Sequence, residues 1–210
     1  MTAKELLSVA QAEIGVKESP AGSNKTKYGA WYGLDGQPWC MMFVQWCFAQ
    51  KGASALLPVK TASCGTLMRA AQAAGQWVTK DYQPGDVVIY DFPGGASTDH
   101  CGIVESVSGS TITAIEGNTS QAGSQSNGGQ VLRMTRNVSL VVGAVRPKFA
   151  EDTVLDNTPA SAHEVGVEWC LAKKILTGNA EGDLMLSSGL TRQQFCTMLY
   201  RYHQNVVKAN

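Results

Sequence analysis

A cysteine at the predicted start of a helix is the residue best placed to do chemistry. Cys40 follows a turn-rich segment, residues 33–38, and opens a run of residues to Ala49 that predicts an amphipathic helix. A thiol in the first turn of a helix lies beside unpaired backbone N–H groups and the positive end of the helix dipole. Because that environment favours the thiolate, which attacks carbonyl carbon, we predict that Cys40 is a nucleophile.

A nucleophilic thiol needs a base, and His100 is the one histidine among the first 149 residues. The pair is therefore predicted to be Cys40 and His100. Cys47 lies two turns further along the same predicted helix and is expected in the core. Cys64, in a predicted loop entering a helix, is the second choice of nucleophile.

The base in turn needs a group that fixes its tautomer. Glu116 ends the strand predicted to pair with the strand of His100, so it is our choice, with Asn118 as a helper or substitute. Asp99 is an alternative, but as a sequence neighbour of His100 it should point away. By the same alternation of side chains, Cys101 and His100 are not expected to line one site together.

Groups that bind the substrate are predicted just before the nucleophile. Gln37, three residues before Cys40, is expected to donate to an oxyanion together with the backbone N–H of Cys40. Tyr28, Trp31 and Tyr32 fall in a predicted loop ahead of the helix. We expect these three aromatic side chains to form one wall of a substrate groove.

Charge and composition exclude several classes of protein. The 210 residues include 17 basic and 17 acidic side chains, so there is no global positive field for nucleic acid. No stretch approaches the roughly 20 apolar residues of a membrane span. Thr2 and Glu5 predict a capping box for a helix to Ile14 rather than a signal peptide. We therefore expect synthesis in the cytoplasm and action after release without a signal peptide.

The six cysteines show no CxxC pair and no zinc-finger spacing with histidine. The absence of a recognisable signal fits a reducing compartment, so most of them are expected to be reduced.

The order of predicted elements indicates an α+β fold with helices first and an antiparallel sheet second. The predicted helices cover residues 3–14, 40–51 and 66–74, and the predicted strands cover 87–90, 100–107, 111–116, 131–135 and 141–146. Residues 1–149 form the first predicted domain and 150–159 a linker. Residues 160–210 predict a small helical module with helices at 163–175 and 192–202, the second one capped by Thr191.

Five segments, in this order, resemble the CHAP family of cysteine, histidine-dependent amidohydrolases and peptidases: residues 27–33, 37–44, 84–88, 99–104 and 115–118. The resemblance implies a papain-like α+β fold and cleavage of amide bonds in bacterial peptidoglycan. The nucleophile, base, orienting acid and assisting amide of that family fall on Cys40, His100, Glu116 and Asn118. Some lysins of the family bind calcium through clustered aspartates before the nucleophile. Only Asp35 stands there in this chain, so we predict no metal and no cofactor.

The C-terminal module, residues 160–210, resembles a single S-layer homology repeat at positions 168–170, 175–178, 182–183 and 190–195. Such repeats act in sets on secondary cell-wall polymer. One copy therefore predicts wall binding, a homo-oligomer that supplies further copies, or docking on the first domain. A purely structural appendage remains the alternative.

The prediction for the whole chain is a peptidoglycan hydrolase, an endolysin of a phage or prophage of a Gram-positive host. It would act as an N-acetylmuramoyl-L-alanine amidase or as a cross-bridge endopeptidase. The alternatives are a bacterial autolysin or secretion-associated wall remodeller, a catalytically dead wall-binding protein, and an amidase acting on small peptides.

Overall fold

The computed structural model describes residues 1–93, 98–122, 124, 127–151, 156–180 and 182–208. The chain divides into two compact units, Met1–Asp152 and Thr153–Asn210. Within the described residues, no helix is both long and apolar enough to cross a bilayer. The predicted division into a catalytic domain at 1–149, a linker at 150–159 and a helical module at 160–210 stays a prediction.

The helices of the first unit are α1 (Ala3–Ala12), α2 (Lys27–Tyr32), α3 (Cys40–Ala49) and α4 (Cys64–Ala73). Helix α1 begins with the predicted capping box. The hydroxyl of Thr2 accepts the backbone N–H of Glu5 at 3.2 Å, and the Glu5 carboxylate accepts the backbone N–H of Thr2 at 2.9 Å. The sequence signal for this helix start is therefore confirmed.

Within the described residues, six strands form one antiparallel sheet. They are β1 (Trp77–Val78), β2 (Val87–Tyr90), β3 (His100–Ser108), β4 (Thr111–Thr119), β5 (Gln130–Asn137) and β6 (Val141–Val145), in the spatial order β1-β6-β2-β3-β4-β5. Strand β3 lies between β2 and β4, with Ile103 opposite Val87 on one side and Ile115 on the other. The α+β class predicted from the sequence is confirmed.

Helix α3 packs on one face of the sheet and is the centre of the core. Eight of its ten residues are buried, so it is apolar on all sides rather than amphipathic as predicted. The prediction failed because the helix is enclosed all round: its neighbours in the core include Leu6 of α1, Leu67 of α4 and Ile103 of β3. A smaller cluster, built from side chains such as Tyr90, covers the opposite face of the sheet.

One α-helix and one strand of the first unit, α2 and β1, were not predicted. Residues 27–32, predicted as a loop, form helix α2, which Thr26 caps by accepting the backbone N–H of Gly29 at 3.1 Å. The helix ends at Gly33, whose φ of 91° suits a residue without a Cβ. Strand β1 has two residues. Six residues are fewer than two helical turns and two residues are a single strand period, so periodicity could not reveal either element.

Two glycines set how closely neighbouring parts of the core approach. A Cβ at Gly117 of β4 would stand 2.6 Å from the Cβ of Phe43 and 2.9 Å from the indole of Trp39. A Cβ at Gly102 of β3 would stand 2.7 Å from the Cγ of Glu116. Since real Cβ atoms do not approach so closely, only glycine allows α3 and Glu116 to sit where they do.

The second unit contains α5 (Glu164–Ala172) and α6 (Arg192–Tyr202). Helix α6 has the predicted bounds, and Thr191 with Gln194 forms its capping box. Helix α5 is shorter than the predicted 163–175. Lys173 is its C-terminal cap, and the φ of 54° at Lys174 is left-handed, so the helix cannot continue. Among the described residues of this unit, only Ile175 is a buried apolar side chain. The likeness to an S-layer homology repeat stays a prediction.

Candidate active site

The site begins at the first residue of α3. Cys40 follows the predicted turn and is 7% exposed. Within the described part of the chain, Trp39 caps the helix without a side-chain hydrogen bond. The N–H groups of the first helical turn are therefore not taken up by the capping residue, and the Cys40 thiol lies beside them.

The first residue of β3 faces a carboxylate on β4. Nε2 of His100 lies 3.0 Å from Oε2 of Glu116, and both side chains are fully buried. Because an ionised carboxylate only accepts, Nε2 must donate, which leaves Nδ1 as the acceptor in the neutral ring. Nδ1 has no hydrogen-bond partner within the described part of the chain. The structure thus brings the predicted base and its predicted orienter together.

An arginine that the sequence analysis missed completes this arrangement. Arg136 of β5 makes two hydrogen bonds to Glu116, from Nε to Oε1 at 2.7 Å and from Nη2 to Oε2 at 2.6 Å. Its guanidinium carbon lies 4.7 Å from the ring centre of Phe92 and 5.2 Å from that of Tyr90. Alternation along β5 was the available signal, because Arg136 shares a face with Leu132, which pairs with Glu116.

These contacts decide the charge of the pair. Burial by itself would lower the pKa of His100, but the interactions with Cys40 and Glu116 outweigh it and raise that pKa to about 9. Burial would also raise the pKa of Glu116, yet Arg136 and His100 hold it below its ordinary value. At neutral pH the pair is therefore an imidazolium beside a carboxylate.

Cys40 has an acidic thiol for related reasons. Hydrogen bonds from the thiols of Cys101 and Cys64 lower the pKa of Cys40, burial opposes them, and the neighbouring His100 lowers it further. The net effect is a pKa well below the ordinary value of a cysteine. Burial and hydrogen bonding raise the pKa of Cys101, so that group remains a thiol and a donor.

The three sulfur atoms form a compact cluster. The Sγ atoms of Cys40, Cys64 and Cys101 all lie within 4.8 Å of one another, and all three residues are buried. The expectation that Cys101 and His100 do not border one site was wrong, since both interact with Cys40. His100 and Cys101 are the first two residues of β3, and the Sγ atoms of Cys101 and Cys40 lie within 4.8 Å of each other.

Cys64 also departs from its predicted position. It was placed in a loop entering a helix, yet it is the first residue of α4. The helix begins two residues earlier than predicted because Ser63 caps it, accepting the backbone N–H of Thr66 at 3.2 Å. Two helices, α3 and α4, therefore both begin with a cysteine of the cluster.

Three predicted residues lie around this centre in different roles. Asp99 accepts a hydrogen bond from the backbone N–H of Phe92 at 2.7 Å. Asn118 has a φ of 59°, and its amide donates to Asn127 at 3.0 Å and accepts from Gly129 at 3.3 Å, which ties down the chain after β4. Its helper role, and the oxyanion role of the exposed Gln37, stay predictions.

Of the three predicted groove residues, Tyr28 must be corrected. It is fully buried, it stacks on Trp39 with ring centres 5.3 Å apart, and its hydroxyl donates to Glu13 at 2.6 Å. The residue turns inward because α2 is a helix rather than a loop, so it cannot touch a substrate. Trp31, 40% exposed, and the half-buried Tyr32 remain candidates for the groove wall.

Lys60 gives that candidate wall a positive charge. Its ammonium lies 5.4 Å from the ring centre of Trp31 and 5.0 Å from that of Tyr32. The sequence also predicts that loops at 92–98 and 117–130 shape the groove. Residues 94–97, 123, 125 and 126 of these loops lie outside the described residues.

The start of a helix and two adjacent strands thus carry a cysteine–histidine–carboxylate site on an α+β fold. Residues 31–118 match the family model of the CHAP domain. This stretch contains Cys40, His100, Glu116 and Asn118, whereas Arg136 lies beyond it. No curated protein matches the sequence.

Several solved structures are similar to this chain. One is a wild-type endolysin, LysIME-EF1, with 17% identity, coverage of 71% of this chain and 65% of that chain, and a TM-score of 0.46. Ly7917 has 18% identity, coverage of 70% and 63%, and a TM-score of 0.43. Ly7917 with the hydrolysing product of MDP has 19% identity, the same coverage and a TM-score of 0.42. The chain thus spans less than two thirds of the length of these proteins.

Proposed function

We propose that this protein is a cysteine amidohydrolase that cleaves amide bonds of bacterial peptidoglycan. The observation that carries the proposal is the buried series of hydrogen bonds from His100 through Glu116 to Arg136. Cys40 lies at the start of α3, and His100 helps to lower the pKa of its thiol. Cys40, His100 and Glu116 lie in the stretch that matches the CHAP domain. The substrate class follows from the resemblance to that family, many of whose members act on cell-wall amides.

The geometry supports a two-step acyl transfer. The Cys40 thiolate attacks the amide carbonyl, and the backbone N–H of Cys40 with the side chain of Gln37 stabilises the oxyanion. The imidazolium of His100 then gives its Nδ1 proton to the leaving amine, which leaves a thioester on Cys40. Water hydrolyses the thioester while Nδ1 of His100 accepts its proton, and the thiolate–imidazolium pair is restored.

Glu116 and Arg136 act through His100 rather than on the substrate. The Glu116 carboxylate fixes the ring with Nε2 donating and stabilises its positive charge at 3.0 Å. The two hydrogen bonds from Arg136 hold that carboxylate in place and keep it ionised. Both are positioning residues.

Comparison of the wild type with Cys40→Ala on purified Gram-positive peptidoglycan tests the proposal. We expect soluble fragments from the wild type and none from Cys40→Ala, and the new termini seen by mass spectrometry identify the bond. A free lactyl group would indicate an N-acetylmuramoyl-L-alanine amidase, and a free cross-bridge amine an endopeptidase. Cys47→Ala is the matched control, because Cys47 is a buried thiol of the same helix outside the cluster.

The alternatives give different results in the same assay. A catalytically dead wall-binding protein would release nothing and would alkylate at Cys40 no faster than an ordinary thiol. A small-peptide amidase would release nothing from walls but would cleave a soluble peptide amide. An endolysin and a bacterial autolysin share this chemistry and would give the same result in this assay. Of the two, we propose an endolysin.

We further propose that the second unit binds cell-wall polymer or a second copy of itself. The support is an unusual number of exposed apolar side chains, including Val165 at 82%, Tyr200 at 66% and Phe195 and Leu199 at 51% each. Phe195→Ser combined with Leu199→Ser should reduce the amount of protein that sediments with cell walls if the unit binds wall polymer. If it binds a second copy, the double variant should reduce the molar mass measured by light scattering. Lys208→Ser, at an exposed polar position, is the control, and no change in either measurement would reject the proposal.

A further inference from the structure

We propose that the thiols of Cys40, Cys64 and Cys101 form a binding site for a thiophilic divalent cation of the Zn²⁺ class. Occupancy of this site would take the nucleophile out of action. The metal site stands independently of the proposed function, whereas its inhibitory consequence rests on it. This differs from the prediction of no metal, which considered only carboxylate ligands and zinc-finger spacing.

The distances between the sulfur atoms suit such an ion. All three Sγ atoms lie within 4.8 Å of one another. A tetrahedral zinc ion with Zn–S bonds of about 2.3 Å holds its sulfur ligands roughly 3.8 Å apart. Small side-chain adjustments would therefore bring the three ligands into place. Thiolate donors favour Zn²⁺, Cd²⁺ or Cu⁺ over Mg²⁺ and Ca²⁺, which prefer oxygen.

The ligands are supplied by three different rigid elements. Cys40 opens α3, Cys64 opens α4, and Cys101 is the second residue of β3. Three thiolates around a divalent cation leave one negative charge in excess. The N-terminal N–H groups of the two ten-residue helices lie beside that charge and stabilise it. The arrangement is thus preorganised in position and in electrostatics.

The surroundings leave a path for the ion and a fourth ligand position. Cys40 and Cys64 are 7% and 6% exposed, whereas Cys101 is fully buried, so an ion would enter past the first two. Among the described residues, the set of mutually close ligand atoms holds these three cysteines alone. A water molecule from the open side would complete the tetrahedron, as in zinc sites with three protein ligands.

Binding would block the nucleophile by simple coordination. The sulfur lone pair of Cys40 that attacks the carbonyl would instead bond to the metal, and each thiol still protonated would release its proton to solvent. No oxidation or reduction occurs, so a chelator should restore the thiolate. We expect wall hydrolysis to fall to background with one equivalent of Zn²⁺ and to return fully with EDTA.

The direct test measures metal rather than activity. A background protein with Cys170→Ser and Cys196→Ser removes the two thiols of the second unit, which are half-buried and exposed. This protein is reduced with a phosphine and titrated with Co²⁺, followed by thiolate-to-cobalt absorption, and then with Zn²⁺, followed by elemental analysis after gel filtration. We expect one metal ion per chain and the absorption pattern of tetrahedral thiolate coordination.

Cluster variants and a matched control locate the site. Cys64→Ala and Cys101→Ala should each weaken binding by more than the roughly 10–100-fold that loss of an outer partner costs. Cys47→Ala removes a buried thiol outside the cluster and should bind normally. If a variant fails to fold by circular dichroism, alkylation mapping of the background protein replaces it. Zn²⁺ should then protect the three cluster thiols and leave Cys47 unchanged.

The outcomes separate this inference from the proposed function. Stoichiometric binding that survives both cluster variants, no binding by the fully reduced protein, or unprotected cluster thiols would each overturn the metal site. Metal binding combined with no hydrolysis of walls by the reduced, metal-free protein would overturn the proposed function and leave the site standing. Hydrolysis that continues with the metal bound would refute only the inhibitory consequence.

Discussion

Glu116 lies between an imidazole and a guanidinium, and each compensates part of its buried charge. Taking a carboxylate out of water is expensive unless it is paired and hydrogen-bonded. His100 occupies one oxygen at 3.0 Å, and Arg136 contacts both oxygens at 2.7 and 2.6 Å. The positive charge on His100 and the negative charge on Glu116 are therefore stable together only while Arg136 is present.

We predict that Arg136→Gln destabilises the first unit by about 3–5 kcal/mol, because it leaves a buried carboxylate short of a partner. It should also lower kcat more than it raises KM. Arg133→Gln is the matched control on the same strand, since Arg133 pairs with Glu105 at 2.6 Å but its side chain is half exposed. That change should cost about 0.2–1 kcal/mol. Urea unfolding measures both, and equal losses would contradict the prediction.

We predict a bell-shaped pH profile for hydrolysis. The raised pKa of His100 keeps the imidazolium until the pH rises through about 9, where the rate should fall. On the acid side, the rate should fall only when the Cys40 thiolate is protonated, below the ordinary range of a cysteine. Glu116→Gln removes one cause of the raised pKa, so the alkaline limb should move to lower pH. An unmoved limb would mean that Glu116 does not set the charge of His100.

At the scale of elements, helix α2 decides which aromatic residues face solvent. It turns Tyr28 into the core, where the hydroxyl donates to Glu13, and leaves Trp31 40% exposed. Tyr28→Phe should therefore cost about 1.5–3 kcal/mol of stability and leave KM unchanged, because a hydrogen bond to a carboxylate is lost.

Trp31→Ala should do the reverse, raising KM for wall fragments while changing stability by about 0.5 kcal/mol or less. Thermal unfolding and steady-state kinetics on soluble fragments separate the two effects. A raised KM in Tyr28→Phe with unchanged stability would return Tyr28 to the groove.

The sequence allowed the long elements and the charge pair to be predicted, because periodicity and capping are local signals. Strand β2 and helix α6 have the predicted bounds. Helix α2 escaped because six residues hold less than two turns, and Arg136 escaped because its partner lies twenty residues away on another strand. The thiol cluster could not be predicted for the same reason. Its three cysteines lie on three separate elements, and no local sequence pattern indicates that these elements meet.

At the scale of the whole molecule, the two units differ in how much core they have. The first unit buries a large set of apolar side chains around α3, while only Ile175 is a buried apolar residue among the described part of the second. A unit of this size with so small a core is marginally stable by itself.

We predict two transitions in calorimetry, with the second unit melting first. Ile175→Ala should lower the midpoint temperature of the first transition alone. Leu67→Ala, at a fully buried site of α4, should lower that of the second transition alone. Each change should cost its unit about 2–5 kcal/mol in free energy of unfolding. The fluorescence of Trp169, the one tryptophan after residue 152, assigns the early transition. A single transition that both variants shift would show that the units unfold together.

Gly117 and Gly102 bear on how this protein can be engineered. A Cβ at Gly117 would clash with Phe43, and a Cβ at Gly102 would clash with Glu116. The close packing of α3 and of Glu116 against the sheet therefore depends on residues without a side chain. In a saturation library selected for lysis, we expect positions 102 and 117 to return only glycine. Position 37 should return only side chains that can donate a hydrogen bond to the oxyanion, since Gln37 is exposed and free of packing constraints. The two glycines are thus spacers, and attempts to retune the enzyme should begin elsewhere.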